Sequence, residues 1–162
     1  MATRSTISIV TERTKEGSGK TIYCHWDGYP SNNGRLLLEH YKDAKKVKSL
    51  INLGSISSLA ENVSPGKEGF RREWNKSEYD LIPTKEPHSF DNPHHGVVVA
   101  YGRDRGEENV EASSFKGKNP GKNIAQEYDY LFVESENKWY VRDNHKSRPT
   151  FVELTEKVCE KN

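Results

Sequence analysis

The chain opens on an alternating pattern. In residues 4–10 (RSTISIV) Ile7 and Ile9 fall on one face and Ser8 and Val10 on the other, the period-two signature of a half-buried strand. Residues 21–26 (TIYCHW) alternate again, with Ile22, Cys24 and Trp26 on one side and Tyr23 and His25 on the other. The polar, Gly-containing stretch between them predicts an antiparallel hairpin with a long loop. Breakers crowd residues 27–34 (DGYPSNNG) and end the second strand. The period then changes. Leu37, Leu38 and Tyr41 predict one helix, and Val47, Leu50 and Ile51 a second that stops at Gly54. Ile56 and Leu59 add apolar contacts beyond it.

Residues 60–95 lose this regularity and carry Pro65, Pro83, Pro87 and Pro93. A structureless loop that long is unusual in a compact domain. Phe70, Trp74 and Tyr79 therefore predict a short helix over 68–79, with Trp74 as its anchor. Residues 96–102 (GVVVAYG) are the most β-prone run, and three consecutive valines predict a central strand buried on both faces. A second long polar loop covers 106–125. Residues 128–133 and 138–143 then pair across Glu134-Ser135-Glu136-Asn137. Thr150 and Glu153 fit a capping box for a last helix bearing Phe151, Leu154 and Val158. The order β-β-α-α-loop-β-β-β-α predicts an α+β fold. It would be a mainly antiparallel sheet of about five strands with helices packed on one face.

Composition narrows the function classes. Of 162 residues, 32% are hydrophobic, enough for one modest core and hence a single domain. Charges nearly cancel, 25 basic against 24 acidic, so the net charge of +1 argues against a nucleic-acid binder and against a nucleic-acid mimic. Only a local patch at Lys116, Lys118 and Lys122 could hold nucleic acid. No apolar run approaches the ~18 residues of a membrane span, and the first residues lack the apolar core of a signal peptide. Cys24 and Cys159 do not make a disulfide framework, which points to a reducing cytoplasm.

Catalytic signatures are sparse. Residues 16–21 (EGSGKT) resemble a phosphate loop, but Thr14 stands where the motif needs glycine, and a strand follows where a helix should. His88, Asp91, His94 and His95 would bind a metal ion only if their loop folded back; exposed loop histidines are the simpler reading. Glu136-Asn137-Lys138 with Asp129 matches half of a metal-dependent nuclease motif but sits in a hairpin turn. Cys24 lies on an apolar strand face, where thiols are mostly inert. The sequence thus leans away from an enzyme and implies no metal and no cofactor.

Two strand-to-loop segments stand out. One holds His25, Asp27 and Tyr29, the other Tyr101, Arg103, Asp104, Arg105 and Glu107. If both reach one sheet edge, they form a cleft in which the guanidiniums take phosphate or carboxylate, His25 moves a proton, and the tyrosines stack. In the competing reading Trp26 is core, Asp27 serves a turn, and Arg103 joins Asp104 or Glu107 in an ion-pair network.

These same segments carry a resemblance. Arg4-Ser5-Thr6-Ile7, Tyr23 to Tyr29 with Asn33-Gly34, Leu37 to Tyr41, Leu53 to Ser57 and Ala100 to Glu107 occur together, with the aromatic hairpin at 128–141. The combination resembles a family of small proteins of tailed bacteriophages and prophages that carries no assigned function. Residues 60–88 and 108–125 fall outside it. The resemblance implies a phage origin and action in the host bacterial cytoplasm. The leading expectation is an accessory protein that binds and inhibits a host protein, such as a component of antiviral defence. Its contact residues would be Tyr29, Trp74, Tyr79, Arg103 and Arg105. The alternative is a binder or hydrolase of a small nucleotide-like signal, using His25, Asp27, Arg103 and Asp104. Self-association into a homo-oligomer is compatible with either.

Overall fold

The computed structural model describes residues 2–160. Its strands are β1 (Ser5–Val10), β2 (Ser18–Cys24), β3 (Ile56–Ser58), β4 (Gly69–Asn75), β5 (Glu78–Thr84), β6 (Val99–Ala100), β7 (Ser113–Lys116), β8 (Tyr128–Val133), β9 (Lys138–Asp143) and β10 (Phe151–Glu153). Its α-helices are α1 (Arg35–His40), α2 (Ala44–Ile51), α3 (Tyr101–Arg105) and α4 (Glu156–Cys159). The fold is α+β. Eight strands, rather than about five, join one sheet in the order β10-β9-β8-β1-β2-β3-β6, with β7 also on β2. Pairing is mainly antiparallel, with parallel contacts between β1 and β8 and between β2 and β3. β4 and β5 pair only with each other.

β1 is the axis of the sheet, and all six of its residues are buried. The half-buried strand expected from its alternation is corrected, because polar residues on its second face are buried too. On one face Ile7 and Ile9 join the main core with Ile22, Leu37, Tyr41, Val47, Leu50, Phe132 and Trp139 under the helices. On the other face Val10, Leu131 and Val133 make a smaller apolar cluster. Beside it Thr6 donates to Asp129 Oδ1 at 2.7 Å. Asp129 Oδ2 accepts Arg142 Nε and Nη2 at 3.1 and 2.9 Å and Asn144 Nδ2 at 2.6 Å. Every buried charge here has its partner, which is the condition for keeping an ion pair inside a sheet. It also removes Asp129 from the nuclease reading, since its carboxylate is already fully engaged.

The corner at 27–34 shows why this sequence turns as it does. Gly28 passes so close to β1 that a Cβ there would lie 2.7 Å from the Ser5 Cβ. Its carbonyl accepts the buried Tyr130 hydroxyl at 2.6 Å. Asn33, fully buried, donates to Ser5 Oγ and Cys24 Sγ at 3.3 and 3.4 Å. A wide helical turn over Pro30–Gly34 then leads into α1. As the sequence predicts, α2 ends near Gly54, whose φ of +79° suits glycine. Residues 16–21, the near-match to a phosphate loop, run from the turn into β2.

Three further expectations are corrected. Residues 68–79 are not a helix anchored by Trp74: they are most of a two-stranded hairpin, β4–β5, and Trp74 is 73% exposed. Residues 96–102 are not a central strand. Only Val99 and Ala100 form a strand, at the end of the sheet, with Val97 making a lone parallel bridge to Asn62, and α3 starts at Tyr101, where the Asp104 carboxylate reaches back to the Ala100 N–H at 2.7 Å. The last helix spans only Glu156–Cys159, capped by Thr155 rather than Thr150. Phe151 belongs to β10, opposite Arg142.

Candidate functional site

The β4–β5 hairpin stands off the body with nearly every side chain from Phe70 to Leu81 exposed. Its register pairs Phe70 with Pro83, Arg72 with Leu81 and Trp74 with Tyr79. Directly opposed residues share a face, so these six make one surface. The other face carries Arg71, Glu73, Asn75, Glu78 and Asp80, with Ile82 opposite Arg71 as its one large apolar residue. The hairpin is therefore amphipathic, yet its apolar side is uncovered: Phe70 is 40%, Tyr79 43% and Leu81 47% exposed. Within that face the Trp74 and Tyr79 rings meet edge-on at 5.7 Å, and Arg72 lies 5.4 Å over Tyr79. A lone two-stranded hairpin is marginally stable in water, and a contiguous exposed apolar surface marks an interaction site.

The roots of the hairpin are held firmly. Arg103 donates to the Val63 carbonyl at 2.6 Å on the N-terminal side and to the Val98 carbonyl at 2.7 Å on the C-terminal side. Its Nε donates to Asp104 Oδ1 at 2.8 Å. The Asp104 carboxylate, almost wholly buried, also accepts His88 Nε2 at 3.2 Å. His88 Nδ1 accepts the His94 N–H at 2.9 Å, so the ring proton sits on Nε2. The Phe90 N–H donates to the Asp104 carbonyl at 2.9 Å, and the His95 N–H to the Phe70 carbonyl at 2.7 Å. Arg105 packs over the Phe90 and Tyr101 rings and pairs with Glu107 at 2.8 Å. Burial pulls the Asp104 carboxyl upward. Hydrogen bonds from Arg103 and the Ala100 N–H, with Arg103 and His88 alongside, outweigh it and hold the group below its ordinary value.

Arg103, Asp104, Arg105 and Glu107 thus form a clamp that ties α3 to both roots of the hairpin. None of these bonds reaches His25 or Asp27, although Tyr23, which bonds His25, lies near enough to Tyr101 to feel its charge. Along β3 the Trp26 N–H bonds to the Ser57 carbonyl, while the Tyr101 N–H bonds to the Ser55 carbonyl. The two segments therefore leave the sheet at opposite ends of that strand. His25 Nδ1 bonds the Tyr23 hydroxyl at 2.7 Å and its ring stacks edge-on against Trp26 at 4.9 Å. The Tyr29 hydroxyl donates to Asp27 at 3.4 Å. Among the described residues, no hydrogen bond or ion pair joins the two sets. Trp26 itself is 43% exposed, so it is not the core residue of the competing reading. Burial pushes the Cys24 thiol up to about 11, which removes it as a nucleophile. Nor do the loop histidines gather a metal site: no cluster of three ligating side chains occurs among the described residues.

Sequence reasoning found Trp74 and Tyr79 but missed Phe70's neighbours on the face, Arg72, Leu81 and Pro83, and it missed His88 as part of the clamp. The available signal was period-two alternation through 70, 72, 74 and 79, 81, 83 around the two-residue turn Lys76-Ser77. None of the described helices is long and apolar enough to cross a membrane. No family model, no curated protein and no solved structure matches the chain.

Proposed function

We propose that this protein is a binding module that engages another protein through the apolar face of the β4–β5 hairpin, with Trp74 and Tyr79 as its main contacts. The observation that supports the reading is the uncovered amphipathic hairpin on a braced root. Aromatic and arginine side chains dominate binding energy at protein interfaces, and this face supplies both. Bracing lowers the ordering entropy lost on association. The two strands also offer free edges on which a partner strand can add. The partner class follows from the resemblance to phage proteins: a host bacterial protein, bound and inhibited in the host cytoplasm, as an antagonist of antiviral defence.

Affinity capture from bacterial lysate tests the proposal, with wild-type protein compared against a Trp74→Ser/Leu81→Ser double variant. Both positions are solvent-exposed, so the melting temperature of the body should be unchanged. Wild type should retain a host protein in stoichiometric amount, and the variant should lose it. Capture of the same proteins by both would overturn the assignment of this face. Retention of nothing but a second copy of the chain would replace the host partner with self-association.

A further inference from the structure

The ladder of the β4–β5 hairpin decides which of its backbone groups are used internally and which face outward. Opposed residues in an antiparallel ladder alternate between pairs that exchange both N–H···O bonds and pairs that exchange none. Three observations fix the alternation here. Pro83, opposite Phe70, has no N–H to give. The Phe70 carbonyl accepts from outside the hairpin, from the His95 N–H at 2.7 Å. The turn at Lys76-Ser77 makes its flanking residues, Asn75 and Glu78, a bonded pair. The ladder is therefore carried by Asn75 with Glu78, Glu73 with Asp80 and Arg71 with Ile82. Arg72, Trp74, Tyr79 and Leu81 turn their N–H and C=O groups outward, and these are also residues of the apolar face. The edge of β4 is met at its root by His95. Along β5, no hydrogen bond from elsewhere among the described residues reaches the backbone of Tyr79 or Leu81.

The charged face beside that edge is unbalanced. Asp80 lies directly opposite Glu73, a like-charge pairing that destabilises a ladder. Arg71 answers Glu73 at 2.8 Å. Glu78 and Asp80 have no ion-pair partner among the described residues. A strand added along β5 thus meets apolar and acidic positions in strict alternation. We propose, resting on the hairpin as the docking surface, that the β5 edge accepts an extended partner segment in which apolar residues alternate with lysine or arginine. Antiparallel addition gives the more stable ladder. The apolar residues of the segment exchange backbone hydrogen bonds with Tyr79 and Leu81 and continue the apolar face. Its basic residues fall opposite Glu78 and Asp80, in the unbonded pairs where side chains approach most closely. A second copy of β5 brings two further carboxylates and no cation, so this edge does not select itself.

NMR titration of the full chain with a short peptide alternating valine and lysine tests this. Amide exchange of Tyr79 and Leu81 should slow on binding, and that of Arg72 and Trp74 should not. N-methylation of the peptide's valine amides, which face β5, should weaken binding on the order of tenfold or more. N-methylation of its lysine amides, which face away, should leave binding intact. Glutamate in place of lysine should weaken binding, and Glu78→Lys/Asp80→Lys should reverse that preference. No slowing at millimolar peptide would overturn the proposal. So would equal effects of the two methylations, or protection of Arg72 and Trp74 instead. Slowing of Tyr79 and Leu81 by rising protein concentration alone would replace the partner segment with a second copy. The lysate capture separates the two levels. Failure here, with capture still lost in the Trp74→Ser/Leu81→Ser variant, overturns the edge and leaves the docking face; capture retained by that variant overturns the face itself.

Discussion

Replacing Asp104 by alanine should loosen the hairpin from the body without unfolding the sheet. The side chain accepts hydrogen bonds from Ala100 N–H, from Arg103 and from His88, and only 3% of it is exposed. Hydrogen bonds to charged groups contribute about 1.5–3 kcal/mol each when buried. Arg103 is 28% exposed and regains water when its partner is lost, so the sum overstates the effect. A local loss of about 2–3 kcal/mol is the reasonable magnitude, equivalent to roughly 30- to 150-fold in the opening equilibrium. Hydrogen exchange reads it directly. The amides of Asn62, Phe90, His95 and Val98, bonded across the roots, should exchange faster by that factor, while those of Ile7 and Leu131 in the sheet centre stay protected. The folded-state carboxyl lies below its ordinary value, so its contribution is fully present above the ordinary carboxylate pKa. It is lost only as pH falls through the lower folded value. After correction for intrinsic rates, the part of root protection that Asp104→Ala removes should therefore be undiminished down to the ordinary carboxylate range. Unchanged root exchange in Asp104→Ala would refute the clamp, and uniform loss of protection throughout the chain would show a global rather than a local role.

Other parts of the molecule give independent tests. Asp129→Ala leaves Arg142 buried without its carboxylate and should destabilise the protein by about 3–5 kcal/mol in urea denaturation; a loss below about 1 kcal/mol would mean that the pair is solvated. Gly19→Ala places a Cβ 2.1 Å from the Ile9 carbonyl oxygen and 2.5 Å from the Phe115 ring, which should lower stability by about 2–3 kcal/mol, read from the melting curve. His145 should titrate above an ordinary histidine by NMR. The Asp143 hydrogen bond is the largest cause, opposed by slight burial and assisted by Glu127, so Asp143→Asn should bring the value down. Because this folded value is raised, the pair's small stabilisation is present at low pH and lost as pH rises through it.

The body of the fold was legible because its periodicity is carried by side chains that are in fact buried. The hairpins at 5–24 and 128–143 and the helices near Leu37 and Val47 follow directly from it. The β4–β5 hairpin was not legible for the converse reason. Its alternation runs through Phe70, Arg72 and Trp74 and through Tyr79, Leu81 and Pro83, a face that meets solvent and mixes apolar with charged positions. Anchoring Trp74 in a helix followed from the premise that large aromatics are buried. The valines at 97–99 are buried, yet only Val99 pairs as a strand, a distinction composition does not carry. Thr150 and Thr155 both offer a helix start, and pairing of β10 with β9 decides for the later one. Arg103 and Asp104 were recognisable as important, but their role depends on the carbonyls of Val63 and Val98, and backbone partners leave no trace in residue type. The second-face network around Asp129 was likewise hidden, because Thr6, Ser8 and Asp129 look like solvent-facing positions until β8 and β9 are placed beside them.

The presented hairpin is tested most directly by hydrogen exchange of the protein alone and in complex with a protein retained in the lysate capture. Protection should rise across residues 69–84 and stay as it was in α2 and β7. Protection rising elsewhere, with 69–84 exchanging as in the free protein, would contradict the hairpin as the binding surface.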